Sequence, residues 1–419
     1  MTRAPESPEY TVNHPSWRRA APAVVEWARR RRDTLTPLAI ALGIRLAVFL
    51  AASALMRAAL TTKRPALRGV SLIEAWSRMD TDWYVGIAQA GYNYSPVIGS
   101  RANFFPLFPA LMAIGGRAIE PLGLPSPWVY VVVGTAISWA AFAAACVALY
   151  QLALLRFDRR VAAGAVTLLA VFPFSFYYGV AYTEALYLLL AVLAFLAIER
   201  GNWWGAAGAA GLASALRPPG LILGACVALA YGLAWLRERR WLRRDMLSLA
   251  LIPMGALAYT AYCWAAFGEP LAYIKTARAG WHEGLQLNAL IMARDLATSP
   301  KAWEIIRYPH NWTVPKYLFI TSGMAYLGLL AICLLTIPFV WRLLGPVYAI
   351  FVIVSAAAPL ALFPSIQSLG RYLSVLFPVF IVLAYPLRRL PLLLYPLAGL
   401  SLAALCGYTA FFIGGFGLP

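Results

Sequence analysis

The sequence predicts an all-α, polytopic helical membrane protein. Over 419 positions it carries 62% hydrophobic residues and only 12% charged ones, with a mean hydropathy of +0.70. Soluble domains have roughly 45–50% apolar and ~25% charged residues, so this chain lacks the polar surface that water demands. Apolar runs of about 18 or more residues, each long enough to cross a ~30 Å hydrocarbon core, recur from Thr36 to the C-terminus. They do not alternate polar with apolar, which excludes an outer-membrane barrel.

Residues 1–34 are polar, basic and proline-containing, and predict a disordered or surface-lying cytoplasmic tail. Residues 35–419 form one integral membrane domain. About eleven spans are expected, near 35–58, 127–155, 161–178, 181–199, 203–216, 219–236, 246–267, 317–340, 345–362, 373–387 and 391–414. Several are short enough to be tilted, broken or re-entrant. Arg29 to Arg32 precede an apolar run too long for a signal-peptide core, so the first helix is expected to stay as an anchor.

Basic clusters at Arg156/Arg159/Arg160, Arg200, Arg237 to Arg244, Arg342 and Arg388/Arg389 fall on one side if the N-terminus is cytoplasmic. The positive-inside rule then leaves two long loops, about 59–126 and 268–316, on the non-cytoplasmic face, together with short turns near Arg217 and Phe363 to Tyr372. The net charge of +18 thus reads as topology; nucleic-acid binding would need a basic face on a soluble domain, and none is present. Nearly all that charge is arginine, which with the Ala and Leu bias hints at a GC-rich bacterial genome and a bacterial plasma membrane. The five cysteines lie in apolar runs without metal or CxxC spacing, and predict neither a disulfide framework nor a metal site.

The acids point to the outer side. Glu74, Asp80, Asp82, Glu120, Glu184, Glu269, Glu283, Asp295 and Glu304 all fall in outward segments. A carboxylate at membrane depth costs about 2.5–3.5 kcal/mol, so such acids usually line a cavity with a purpose.

Three constellations carry candidate chemistry. In Arg78-Met79-Asp80-Thr81-Asp82-Trp83-Tyr84, two carboxylates one residue apart can deprotonate a sugar hydroxyl while Trp83 and Tyr84 stack on apolar sugar faces; a solvated interfacial helix with an aromatic belt has the same pattern. In Phe172-Pro173-Phe174-Ser175-Phe176-Tyr177-Tyr178, running on to Tyr182-Thr183-Glu184, the proline frees backbone groups that need polar partners. The aromatics there read as structural, and Glu184 as either solvated or cavity-lining. Arg217-Pro218-Pro219-Gly220 and Gln367-Ser368-Leu369-Gly370-Arg371-Tyr372 each place an arginine at an outer break, where a guanidinium can grip two phosphate oxygens or snorkel to headgroups.

Arg45 lies deep in the first span and is expected to pair with a carboxylate from another helix. His14, His282 and His310 lack metal spacing; His282, in Gly280-Trp281-His282-Glu283, is a candidate substrate contact. Asn93-Tyr94-Ser95 and Asn311-Trp312-Thr313 fit a glycosylation triplet that matters only in a host that modifies it. There is no Walker or Rossmann fingerprint, and the cytoplasmic loops are too short for a nucleotide-binding domain.

Taken in order, the first-loop acidic motif, Gly91-Tyr92, Phe-Phe-Pro-Leu-Phe-Pro at 104–109, the segment from Phe172 to Glu184, Arg217-Pro-Pro-Gly, and Gly370-Arg371-Tyr372-Leu373 followed by Phe377-Pro378 resemble the PIG-V family of mannosyltransferases. The resemblance implies a GT-C type membrane enzyme with its site on the non-cytoplasmic face. It further implies an inverting transfer of a hexose, mannose first, from a polyprenyl-phosphate donor to a hydroxyl of a glycolipid, lipid or protein. The family's first-loop aspartate matches Asp80; Asp82 lies where members vary, and Met79 replaces the usual tryptophan.

In that reading Asp80 is the base, Arg371 the first phosphate ligand and Arg217 the second, with Glu184, Tyr372 and His282 as further substrate contacts. No cofactor is required, because arginine can neutralise a monophosphate leaving group, although Asp80 and Asp82 are compatible with a divalent cation. A transporter or flippase of a lipid-linked sugar would also use broken helices, acids and arginines. Against it stand the absence of an evident internal repeat and the gathering of the acids toward one face.

Overall fold

The computed structural model describes residues 17–61, 72–123, 126–238, 244–286, 288–298, 300, 314–366 and 368–414. Every regular element among them is helical. Glu304, His14, His310, the 311–313 triplet, Gln367 and the middle of the basic run at 237–244 lie outside the described residues.

Helices stand at all eleven expected positions, but among the described residues five are long and apolar enough to cross a membrane: Arg31–Ala54, Trp128–Leu154, Pro219–Arg237, Gly323–Leu343 and Pro391–Ile413. Arg244–Leu251 and Met254–Phe267, bent by 43°, make a sixth if taken as one span. The other positions hold shorter helices, such as Arg159–Ala170, Glu184–Glu199 and Trp203–Leu216. Glu184–Glu199, with 16 residues, covers roughly 24 Å at ~1.5 Å per residue, less than the hydrocarbon thickness. The first helix begins at Trp17, well before the expected start near residue 35. Residues 17–30 therefore belong to the same helix as the span that starts at Arg31.

The described parts of the two segments expected as long loops contain helices. The first contains Leu72–Ala75, Asp80–Ala90 and Leu107–Ile119, and the second Ala272–Trp281 and Asn288–Thr298. At the centre of the core, Glu184–Glu199 buries residues on nearly every side, as a helix that is apolar all round must. It packs between Trp128–Leu154 and Trp203–Leu216.

A break between Arg159–Ala170 and Glu184–Glu199 leaves carbonyls without helical partners, and neighbouring side chains meet them. Ser138 Oγ donates to the Tyr182 carbonyl at 3.1 Å and Trp139 Nε1 to that of Gly179 at 3.1 Å. Arg45, fully buried in the first span, donates to the Ser175 carbonyl at 2.5 Å, the Ala170 carbonyl at 2.7 Å and Ser175 Oγ at 2.6 Å. The expected carboxylate partner is therefore corrected: Arg45 serves backbone carbonyls freed where the Pro173 segment ends a helix. Its guanidinium also lies 5.1 Å from the Phe142 ring centroid.

Contacts among the basic clusters mark one end of the bundle. Arg156 pairs with Glu199 at 2.5 Å and donates to the Leu344 carbonyl at 2.6 Å. Arg159 pairs with Asp33 at 2.7 Å, and Arg388 approaches Asp158 at 4.0 Å. Glu199 closes the helix that Glu184 opens, so Glu184 and its neighbours lie at the opposite end.

Candidate active site

At that opposite end, four chain breaks bring charge together. Glu184 sits in the first turn of its helix, where the macrodipole favours a carboxylate. Its side chain is fully buried, and its Oε1 accepts from Arg217 Nη1 at 2.6 Å and from Arg371 Nε. Arg371 Nη1 reaches on to Asp80 Oδ2 at 2.5 Å. Asp80, Arg371, Glu184 and Arg217 thus form, in that order, one chain of alternating sign. Among the described residues, Glu184 Oε2 is buried without a partner, and Asp80 Oδ1 accepts no hydrogen bond.

Local backbone explains how each side chain arrives. Arg217 caps Trp203–Leu216 in extended conformation, and Pro219 opens the next helix. Gly220 follows because a Cβ there would lie 2.1 Å from the Ala213 backbone, so only glycine lets the two helices meet so tightly. Arg371 belongs to the short helix Leu369–Ser374, and a Cβ on Gly370 would lie 2.5 Å from the Phe174 ring. The Phe172–Tyr178 aromatics thereby set the depth of Arg371.

Tyrosines wall the guanidiniums. Arg371 lies 4.8 Å from the Tyr182 ring centroid and 5.7 Å from that of Tyr177; Arg217 lies 5.0 Å from Tyr372 and 5.6 Å from Tyr187. These faces stabilise the cations where water is scarce. Tyr182 also fixes the first loop: its hydroxyl donates to the Arg78 carbonyl at 3.2 Å and accepts from the Asp80 N–H at 3.3 Å. Met79 between them has φ 54°, a left-handed conformation uncommon for a methionine and held by its surroundings.

The remaining sequence-predicted residues divide. Asp82 is exposed and takes one hydrogen bond, from Ser77 Oγ at 3.3 Å. Trp83 stacks on Phe104 with centroids 5.6 Å apart and meets Trp281 edge-on at 5.4 Å. Tyr84 is buried against Phe104 and Phe108, and burial, followed by the Asp80 charge, pushes its phenol up. Tyr372 joins the site under Arg217. His282 ends Ala272–Trp281 with φ 55° and its side chain is exposed.

Beside that histidine, Glu283 is half-buried, and its carboxyl is pushed up by burial first and the Asp80 charge second, against the pull of Arg371 and Arg217. Tyr177 and Tyr182 were noted only as parts of a motif. The preceding Pro173 and the following Glu184 were the available signals that this stretch bends into a polar site.

Residues 66–265 match the family described as Mannosyltransferase (PIG-V), the family to which the motifs pointed. A GPI alpha-1,6-mannosyltransferase 2 of Mus musculus is 29% identical over 206 residues, covering 46% of this chain and 41% of that protein. The protein of the same name from Homo sapiens is 28% identical over 218 residues, covering 48% and 43%. The match spans less than half the length of these relatives. Among solved structures, an Archaeoglobus fulgidus oligosaccharyltransferase complex with Zn and sulfate aligns with 88% of this chain and 53% of its own, at TM-score 0.46 and 14% identity. ArnT from Cupriavidus metallidurans bound to undecaprenyl phosphate aligns with 80% and 75%, at TM-score 0.39 and 14% identity.

Proposed function

We propose that this protein is a membrane glycosyltransferase of GT-C type that moves mannose from a polyprenyl-phosphate donor to an acceptor hydroxyl, with inversion, on the non-cytoplasmic face of a bacterial plasma membrane. The observation that carries the reading is the pairing of the PIG-V family match with two guanidiniums held side by side on Glu184.

The charges suggest an exchange. Arg371 and Arg217 are balanced by Asp80 and Glu184, so an incoming lipid phosphate competes with Asp80 for Arg371. As the phosphate takes that fork, the aspartate is released toward the acceptor. Asp80 then removes the hydroxyl proton while the sugar develops oxocarbenium character, and the arginines stabilise the departing phosphate. Glu184, fixed under both arginines, orients them. Trp83 and Tyr372 offer ring faces to the sugars. Two guanidiniums suffice for a monophosphate, so the proposal needs no cofactor.

Purified protein offered polyprenyl-phosphate mannose should release polyprenyl phosphate and glycosylate an acceptor, and should fail with GDP-mannose alone. Efficient use of GDP-mannose without a polyprenyl carrier would overturn the donor assignment. Transbilayer movement of the lipid-linked sugar with no covalent product would identify a transporter instead.

A further inference from the structure

We propose that Glu283, carried by the second long loop, is a further catalytic carboxyl of this site: it faces the acceptor hydroxyl opposite Asp80 and receives the proton that Asp80 removes. The inference rests on the glycosyltransferase reading and deepens it.

Glu283 is fixed from both sides. Two residues before it, Trp281 packs edge-on against Trp83 at 5.4 Å and Phe104 at 5.7 Å, which docks the second loop on the helix that begins with Asp80. Immediately after it, Gly284 N–H donates to the Leu362 carbonyl at 2.9 Å and Gln286 N–H to the Ala361 carbonyl at 2.8 Å. Those carbonyls end the helix Pro346–Leu362, from which the chain leads to Arg371. The Glu283 N–H donates to the Ala277 carbonyl at 3.2 Å, across the left-handed turn at His282. Strained non-glycine backbone is found at Met79, His282 and Ser368, and each precedes by one to three residues a charged group of the site. Strain of this kind persists where a side chain must be aimed.

The carboxylate so placed is half-buried and makes no hydrogen bond or ion pair among the described residues. Asp80 differs, since Arg371 occupies one of its two oxygens. The charges that act on the Glu283 carboxyl are those of Asp80 in the first loop, Arg217 at the end of Trp203–Leu216 and Arg371 in Leu369–Ser374, and Glu283 in turn acts on Tyr372. Burial first, and the Asp80 charge second, push its carboxyl up to about 7, against the pull of both arginines. An unpartnered carboxyl that titrates near working pH suits proton transfer.

The step balances. The acceptor oxygen bonds to the anomeric carbon, and the bond from that carbon to the phosphate oxygen breaks with its electron pair on the lipid phosphate. The hydroxyl proton passes through Asp80 to Glu283 and from there to water.

The test uses membranes from cells lacking the native gene and carrying the full chain, so that endogenous acceptors are present. Label transferred from polyprenyl-phosphate [14C]mannose is followed from about pH 5 to pH 9, and rates are normalised to folded protein. Wild-type activity should rise through a limb near pH 7, and Glu283→Gln should lose about a hundredfold at high pH together with that limb. Glu283→Asp should recover part of the rate with the limb displaced. Infrared difference spectra of the purified protein should contain a protonated-carboxyl band that titrates near pH 7 and is absent from Glu283→Gln. A variant with the wild-type rate, or with a lower rate and an unmoved limb, overturns the proposal. Wild-type membranes that transfer no label overturn the glycosyltransferase reading itself, whereas an active wild type with no titrating Glu283 band overturns only the role of Glu283.

Discussion

The guanidinium of Arg371 and the carboxylate of Asp80 meet at 2.5 Å although 291 positions separate them in the chain. The pair closes the site between the first loop and the last break before the C-terminal helices. The residues expected as base and as phosphate ligand are thus paired with each other.

Loss of the first member should be severe. Asp80→Asn keeps shape and removes basicity, so transfer should fall by roughly 10²–10⁴-fold while expression persists. Asp82→Asn should be much milder, because Asp82 is exposed and bonded only by Ser77. Initial rates from polyprenyl-phosphate mannose check both, and a near-wild-type Asp80 variant would remove it as the base.

Arg371 should tolerate no conservative exchange. It serves Asp80 and Glu184 through different nitrogens of one plane, and a lysine ammonium cannot reproduce that fork. Arg371→Lys should lose turnover and donor affinity together. Arg371→Ala leaves buried Glu184 with Arg217 alone, and should also destabilise the fold by about 3–5 kcal/mol, as breaking buried pairs does. Donor binding and thermal unfolding in detergent separate the two effects.

Stability should carry the mark of Glu283 as well. Its folded-state value, about 7, lies above the ordinary carboxyl value of about 4.3. Between those values the folded chain holds a proton that the unfolded chain has lost, so stability falls as pH rises through the window. Glu283→Gln should flatten that slope, with the melting temperature gaining on wild type as pH rises from about 5 to 7. Parallel curves for the two proteins would refute the shift.

Orientation is checked by labelling. In a variant without the native cysteines, single cysteines at Val97 and Leu285, 77% and 89% exposed, should react with an impermeant maleimide in intact cells. One at Arg200, at the basic end, should not. Equal labelling of all three would overturn the placement of the site outside.

Much of this site was legible because its members are chemically costly. Asp80, Glu184, Arg217 and Arg371 are charges beside apolar runs, and such residues are retained at membrane depth only with partners. Their mutual pairing was not legible, since it depends on four breaks converging from distant parts of the chain. Glu283 was counted among the outward acids, but nothing in its spacing set it apart, because the left-handed turn at His282 beside it is a backbone property. The positions of the helices followed from hydropathy. The lengths did not, because prolines and the Phe172–Tyr178 segment cut helices that hydropathy runs together.

Arg45 has a consequence for how the protein is built. Its guanidinium supplies donors to carbonyls some 125 and 130 positions later in the chain, so the first helix acts as a template waiting for a segment not yet synthesised. During membrane insertion, the 170–175 stretch would enter lipid with bare acceptors, at about 1–3 kcal/mol each, unless that helix were already beside it. Assembly is therefore expected to run from the N-terminus. A fragment starting after residue 61 should be degraded when made alone, and rescued when the first helix is supplied as a separate polypeptide.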